Sequence, residues 1–112
     1  MIVQQRTIKQ AVSMSGTGLH TGSTSTMVFK PAPEDFGIRF RRTDLGGSPE
    51  IPAIVDHVVD IARGTTVAIG EARVHTVEHV LAALVGLQVD NVLIELDANE
   101  PLPNHLSPGS VQ

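Results

Sequence analysis

Residues 73–87, RVHTVEHVLAALVGL, place His75, Glu78 and His79 within one short apolar segment. Two imidazoles and a carboxylate at this density suit two kinds of chemistry: metal ligation through neutral histidine nitrogen, and proton transfer by the carboxylate. The five residues from His75 to His79 fit H-x-x-E-H, in which two histidines of one helix hold zinc and the glutamate serves as base in inverted zinc proteases. Only three letters of that pattern are fixed. A solvated polar face on an amphipathic helix satisfies them equally. The proteases also need a further glutamate ligand on a later helix, and no helical pattern follows Val85 to carry one.

The spacing predicts a helix over residues 76–85, ended by Gly86. At about 100° per residue, Val77, Val80, Leu81, Leu84 and Val85 form one arc, the expected buried face, with Glu78 at its edge. His75 and His79, four apart, then stack on the opposite side. Around this helix the chain reads as strands. Residues 7–14 alternate apolar and polar, and the glycine-dense SGTGLHTG that follows reads as a loop. Residues 24–30 form a second strand, stopped by Pro31 and Pro33 and able to pair with the first. GIRFRRTDL and EIPAIVDHVVD carry further strand patterns, with Pro52 where it need not donate to a ladder. TTVAIGEARV reads as two short strands about a turn at Gly70, and VDNVLIELD as a last strand directly after the helix. The expected fold class is α/β (α+β): a mostly antiparallel sheet with one main helix packed on one face.

Composition narrows the function classes. The chain of 112 residues is one domain in size, 41% hydrophobic and 18% charged, with no Trp or Tyr and three Phe, so its core must be Val, Ile, Leu and Ala. A formal charge of −4 argues against nucleic acid, which is held through phosphate contacts by basic faces. Without cysteine, a metal site must use His, Asp, Glu or backbone oxygen. MIVQQRTIKQ lacks the basic-then-apolar pattern of a signal peptide, and VLAALVGL is too short to span a bilayer. A cytoplasmic protein without a membrane span is expected.

Four blocks in order, QRTIKQAVSMSGTGLHTG, FRRTDL, TVEHVLAALVGL and DNVLIEL, closely resemble the N-terminal domain of UDP-3-O-acyl-N-acetylglucosamine deacetylases, the zinc amidohydrolases of lipid A biosynthesis. VVDIARGTT is most similar to the Bacteroidetes-type version that can be fused to a hydroxyacyl dehydratase. The resemblance implies two similar α/β domains, each a sheet with helices on one side, with zinc and a UDP-linked acyl-sugar substrate between them. Residues 1–97 then correspond to the first domain. It further implies that the Glu-His pair of TVEH is this half's share of the active site, with His79 a zinc ligand and Glu78 the general base, the remaining ligands coming from the second domain. Histidine is not required at position 75 in that pattern.

By the same resemblance GLHTG sits beside the active site, so Leu19 and His20 line the pocket. DIARGTT overlies its entrance, with Ile61 and Ala62 as apolar contacts and Arg63 toward the nucleotide phosphates. From the residues alone, SGTGLHTG is a glycine turn; a dinucleotide fingerprint is rejected because glycines 16, 18 and 22 miss its spacing and a strand follows. His57 and His105 stand in no motif and read as surface or tail histidines. Past Asp97 the family runs through a segment of the type EIPIMDGS, whereas this sequence reads EPLPNHLSPGSVQ. Residues 98–112 are therefore expected to be a divergent, disordered tail, and the chain to be the N-terminal half of a deacetylase, inactive until completed. The alternative is a truncated, non-catalytic remnant that only folds or binds a partner.

Overall fold

The computed structural model describes residues 4–17, 24–61, 64–101 and 108–111. Among the described residues, eight strands and one α-helix follow in the order β1 (Val12–Thr17), β2 (Thr24–Pro31), β3 (Ile38–Arg42), β4 (Glu50–Pro52), β5 (Val58–Asp60), β6 (Thr66–Ile69), β7 (Ala72–Val74), α1 (Glu78–Gly86) and β8 (Val92–Leu96). A five-stranded sheet has the order β1-β2-β8-β3-β4, and β5-β6-β7 form a second, smaller sheet. All pairings are antiparallel except β3 with β8, which run parallel because the whole small sheet and α1 lie between them in sequence. The expected α+β class is what the chain adopts.

Alternation along the strands sorts the sheet into two faces. On the inner face one row crosses all five strands in register, Val12, Phe29, Ile94, Phe40 and Ile51. Its last four members are fully buried. Val77, Val80 and Leu84 join the same core cluster, which is how α1 covers this face. Two of the three phenylalanines thus sit at the centre of a core otherwise aliphatic.

The outer face carries charge instead. Lys30 of β2 bonds Glu95 of β8 at 2.8 Å, Glu95 accepts from Arg41 of β3 at 3.1 Å, and Arg41 also grips Glu50 of β4. Signs therefore alternate across four adjacent strands, the cross-strand arrangement that stabilises a solvated sheet face. The Arg41 guanidinium holds the Glu50 carboxyl below the usual carboxylate range, and Lys30, with Arg41 adding to it, does the same for Glu95. On the inner side Arg42 forks onto Asp44, at 2.9 and 2.6 Å, and lowers its pKa likewise. Carboxyls with depressed folded-state pKa values stabilise the fold above their unfolded values, about 4, and lose that contribution as pH falls through the lower folded ones. Stability should thus be level from neutrality to about pH 5 and fall below about pH 4. Arg41→Met should flatten that acid limb, because Glu50 and Glu95 then titrate nearer their unfolded values. Urea unfolding at pH 7 and pH 3.5 checks it; an unchanged difference between the two would disprove the role of the ladder.

Several local expectations need correction. The first strand is not residues 7–14 but Val12–Thr17, which takes in the start of the glycine-rich stretch expected to be loop. Residues 5–7 are engaged elsewhere. Arg6 N–H donates to Asp90 Oδ2, Thr7 Oγ1 donates to the Asn91 carbonyl, and Gln5 Oε1 accepts from Asn91 Nδ2. The helix begins at Glu78, with Val77 as its N-cap. It ends not through Gly86 but through Gln88, at φ 61°. Val89 N–H reaches back to the Leu84 carbonyl and Gln88 N–H to that of Val85, a Schellman closure. Val85, expected in the core, is 72% exposed. On the wheel it lies about 90° from the centre of the arc formed by Val77, Val80, Leu81 and Leu84, farther than any of them.

The expected disordered tail also needs correction for its described residues. Glu100 is 1% exposed and Val111 lies in the core, paired with Ile8, while the Ser110 carbonyl accepts from Lys9 N–H. Proline-rich composition removes regular hydrogen-bond ladders, but it does not prevent single apolar or carboxylate side chains from being buried.

Candidate functional site

Three segments meet at the start of α1. The first is the approach from β7, where Thr76 adopts φ 59°, a left-handed conformation that a β-branched residue reaches only under strain. This left-handed residue breaks the helical run, so His75 lies before the helix and not one turn beneath His79. The stacked pair of histidines expected from the wheel does not form. His75 Nδ1 instead faces Thr66 Oγ1 at 3.0 Å, and its backbone N–H donates to the Asn99 carbonyl at 2.7 Å.

The second segment is residues 99–100. Thr76 Oγ1 donates to Glu100 Oε2 at 3.3 Å, with both residues buried. Together with the Asn99 contact this braces the strained turn from the C-terminal side. From the other side Arg42 Nη1 donates to the Arg73 carbonyl at 2.7 Å, tying β7 to the large sheet.

The third segment is residues 64–65, just before β6. Thr65 makes two backbone bonds to the helix start: its carbonyl accepts from Val77 N–H at 3.0 Å, and its N–H donates to Glu78 Oε1 at 2.9 Å. Gly64, at φ 105°, packs directly on the same carboxylate. A Cβ at that position would lie 3.0 Å from Glu78 Oε2. Glu78 is half-buried and His79 is exposed, side by side on the first turn. At about 100° per residue the two side chains diverge, so one can bind a metal while the other addresses a neighbouring atom.

Of the other residues singled out from sequence, Ile61 is 74% exposed, beyond the end of β5. Leu19, His20, Ala62, Arg63 and His105 lie outside the described residues. His57 packs its Nδ1 against the Pro52 carbonyl at 2.7 Å, as a structural histidine would. Sequence reasoning placed DIARGTT over the entrance but gave Gly64 and Thr65 no role of their own, although a glycine entering a strand pattern is the ordinary sign of a close backbone approach. Among the described residues no group of three or more His, Cys, Asp or Glu is placed to hold a metal ion.

The sequence of residues 5–104 matches the LpxC family, UDP-3-O-acyl N-acetylglycosamine deacetylase. The chain belongs to this family. Among relatives of the LpxC deacetylases, it is 57% identical over 101 residues to the bifunctional enzyme LpxC/FabZ of Chlorobaculum tepidum, covering 90% of this chain and 22% of that protein. It is 52% identical over 96 residues to the UDP-3-O-acyl-N-acetylglucosamine deacetylase of Anaeromyxobacter, covering 86% of this chain and 31% of the relative. To the bifunctional LpxC/FabZ of Bacteroides thetaiotaomicron the identity is 43% over 99 residues. The chain thus spans a third or less of the LpxC proteins it matches, and the resemblance to versions found fused to a second enzyme is upheld. No helix among the described residues is long and apolar enough to cross a membrane.

Proposed function

We propose that this chain supplies one part of the active site of a zinc-dependent deacetylase, which hydrolyses the N-acetyl group of UDP-3-O-acyl-N-acetylglucosamine in lipid A biosynthesis. Residues 1–97 act as the first of two similar domains, working in the cytoplasm with a second that supplies the remaining ligands. The observation that carries this reading is the pair at the helix start: a glutamate held by a backbone amide beside an exposed histidine, in a chain of the LpxC family.

The donor set fits a share of a zinc site. His79 is exposed, and its imidazole has no hydrogen bond among the described residues, so its nitrogen is available as a ligand. A catalytic zinc takes three protein ligands and keeps one position open, so two ligands must come from outside the described residues. When bound, zinc would polarise the acetamide carbonyl and acidify water to a pKa of about 7. Glu78 does the proton work. Its carboxylate accepts a proton from the water that attacks the carbonyl carbon, and as the C–N bond breaks the nitrogen takes up a proton, giving acetate and the amino sugar. Ile61 and Ala62 would meet apolar parts of the substrate, Arg63 the nucleotide phosphates, and Leu19 and His20 the pocket wall.

The test is a chimera in which residues 5–104 replace the matching region of the Chlorobaculum tepidum relative. Acetate release from the UDP-linked substrate is expected at a rate within about tenfold of the parent. A chimera that folds and holds zinc but releases no acetate would instead favour a non-catalytic remnant.

A further inference from the structure

We propose that Gly64 and Thr65 are positioning residues for Glu78, the Thr65 amide fixing one carboxylate oxygen and Gly64 lying against the other. The proposal rests on the reading of Glu78 as the general base.

Glu78 is the first helical residue, and nothing in helix geometry fixes the end of its side chain. A glutamate in this position has three rotatable bonds, and a free carboxylate would spread over several rotamers. The segment just before β6 restricts that freedom. Thr65 N–H donates to Oε1 at 2.9 Å, and the Thr65 carbonyl is itself anchored by Val77 N–H, one residue before Glu78. The donor is therefore tied to the same turn whose carboxylate it holds, and the two cannot drift apart without breaking both bonds. This hydrogen bond to an ionised acceptor is of the stronger kind.

Oε2, the other carboxylate oxygen, faces Gly64. Two independent features require glycine there. At φ 105° an L side chain is strained whatever the space, and a Cβ would stand 3.0 Å from Oε2 and 3.3 Å from Oε1. To admit alanine the carboxylate would have to give by a few tenths of an ångström, on top of the backbone strain. The missing side chain is thus what allows the backbone to come close enough for Thr65 to reach Oε1. A general base must lie within hydrogen-bond reach of the proton it takes, and displacement of about 1 Å can cost on the order of 100-fold in rate. Glycine at 64 and an amide at 65 form one device: the first sets the distance, the second sets the orientation.

The experiment has two arms. In the 112-residue chain, labelled with ¹⁵N, amide exchange at Thr65 is compared between wild type, Glu78→Ala and Gly64→Ala. Both substitutions should speed Thr65 exchange at least about tenfold while leaving Val67, inside β6, unchanged. In a full-length enzyme carrying this segment, Gly64→Ala should lower kcat about 10- to 100-fold, with KM and zinc content held within about twofold. A merely structural glycine would instead alter Val67 exchange, KM and zinc together, which would overturn the proposal. So would Thr65 exchange indifferent to Glu78→Ala, or full kcat in Gly64→Ala. Should Gly64→Ala not fold, the response of Thr65 to Glu78→Ala decides alone, since that substitution removes a half-exposed side chain. If Glu78→Ala left kcat intact, the base reading itself would fall and the positioning role with it, while the Thr65 response would still register the hydrogen bond.

Discussion

In a full-length enzyme carrying this segment, His79→Ala is expected to strip the protein of zinc, whereas Glu78→Ala keeps the metal and slows turnover about 10²- to 10⁴-fold, the usual contribution of a general base. The reason is that the two neighbours are held differently. The Glu78 carboxylate is engaged by the Thr65 amide and lies against Gly64, while the His79 imidazole is exposed and, among the described residues, uncommitted. Under the proposed roles, the first is the group oriented for proton transfer and the second the group open for ligation. His75→Ala should leave zinc content unchanged, because His75 precedes the helix and turns its Nδ1 to Thr66. Metal analysis beside deacetylation rates distinguishes the three. Zinc released as readily by Glu78→Ala as by His79→Ala would sink the division of roles, and a large loss with His75→Ala would bring back the protease-like pair of histidines.

Most elements were legible because they obey simple periods. Alternation placed β2 to within a residue and found β3 inside a longer stretch, since period two records a strand with one face turned further inward than the other, whereas β8, buried at four of its five positions, showed only as a β-branched run wider than Val92–Leu96. The helix wheel ordered burial correctly around most of its circumference: Val80 and Leu84 inside, Leu81 at the margin, His79 outside. It failed at the two ends, where its assumption of continuous helix geometry stops holding. Thr76 is left-handed although its residue type argues against it, and no composition rule anticipates a strained threonine braced by Asn99 and Glu100. His75 was misplaced for that reason. Gln88 likewise took the helix-stopping conformation that Gly86 advertised.

Long-range hydrogen bonds escaped altogether. The QRT of the first similar block and the DN of the last meet in space through Arg6 with Asp90 and Thr7 with Asn91. Nothing local in either block announces the other. The same holds at the candidate site. Glu78 and His79 were visible as types in a motif, yet Gly64 and Thr65, which hold the carboxylate, lie about four helical turns away in sequence and carry no reactive group. Chemistry-bearing residues can be found by type; the backbone that positions them is found only by geometry.

Phe40→Ala should cost about 3–5 kcal/mol of stability, the range for removing a buried phenylalanine, whereas Val85→Ala should stay within about 0.5 kcal/mol. Phe40 is fully buried on β3, with Ile94 of β8 and Ile51 of β4 beside it in register. It stands in the row that joins all five strands and faces the helix residues of the same core cluster. With no Trp or Tyr and only three Phe in the chain, no other aromatic can move in to fill the space. Total stability of a domain this size is roughly 5–15 kcal/mol, so the loss is a large fraction of the whole. At about 4–8 °C per kcal/mol, Tm should fall on the order of 15 °C or more. Val85 has the same hydrophobic character in sequence and was expected inside, yet it is mostly exposed, and alanine there also favours the helix. Thermal unfolding followed by circular dichroism compares the two, since the chain has no tryptophan to report by fluorescence. A Phe40→Ala loss under about 1 kcal/mol would mean that the five-strand row is not the centre of the core, and a comparable loss for Val85→Ala would place that residue inside after all.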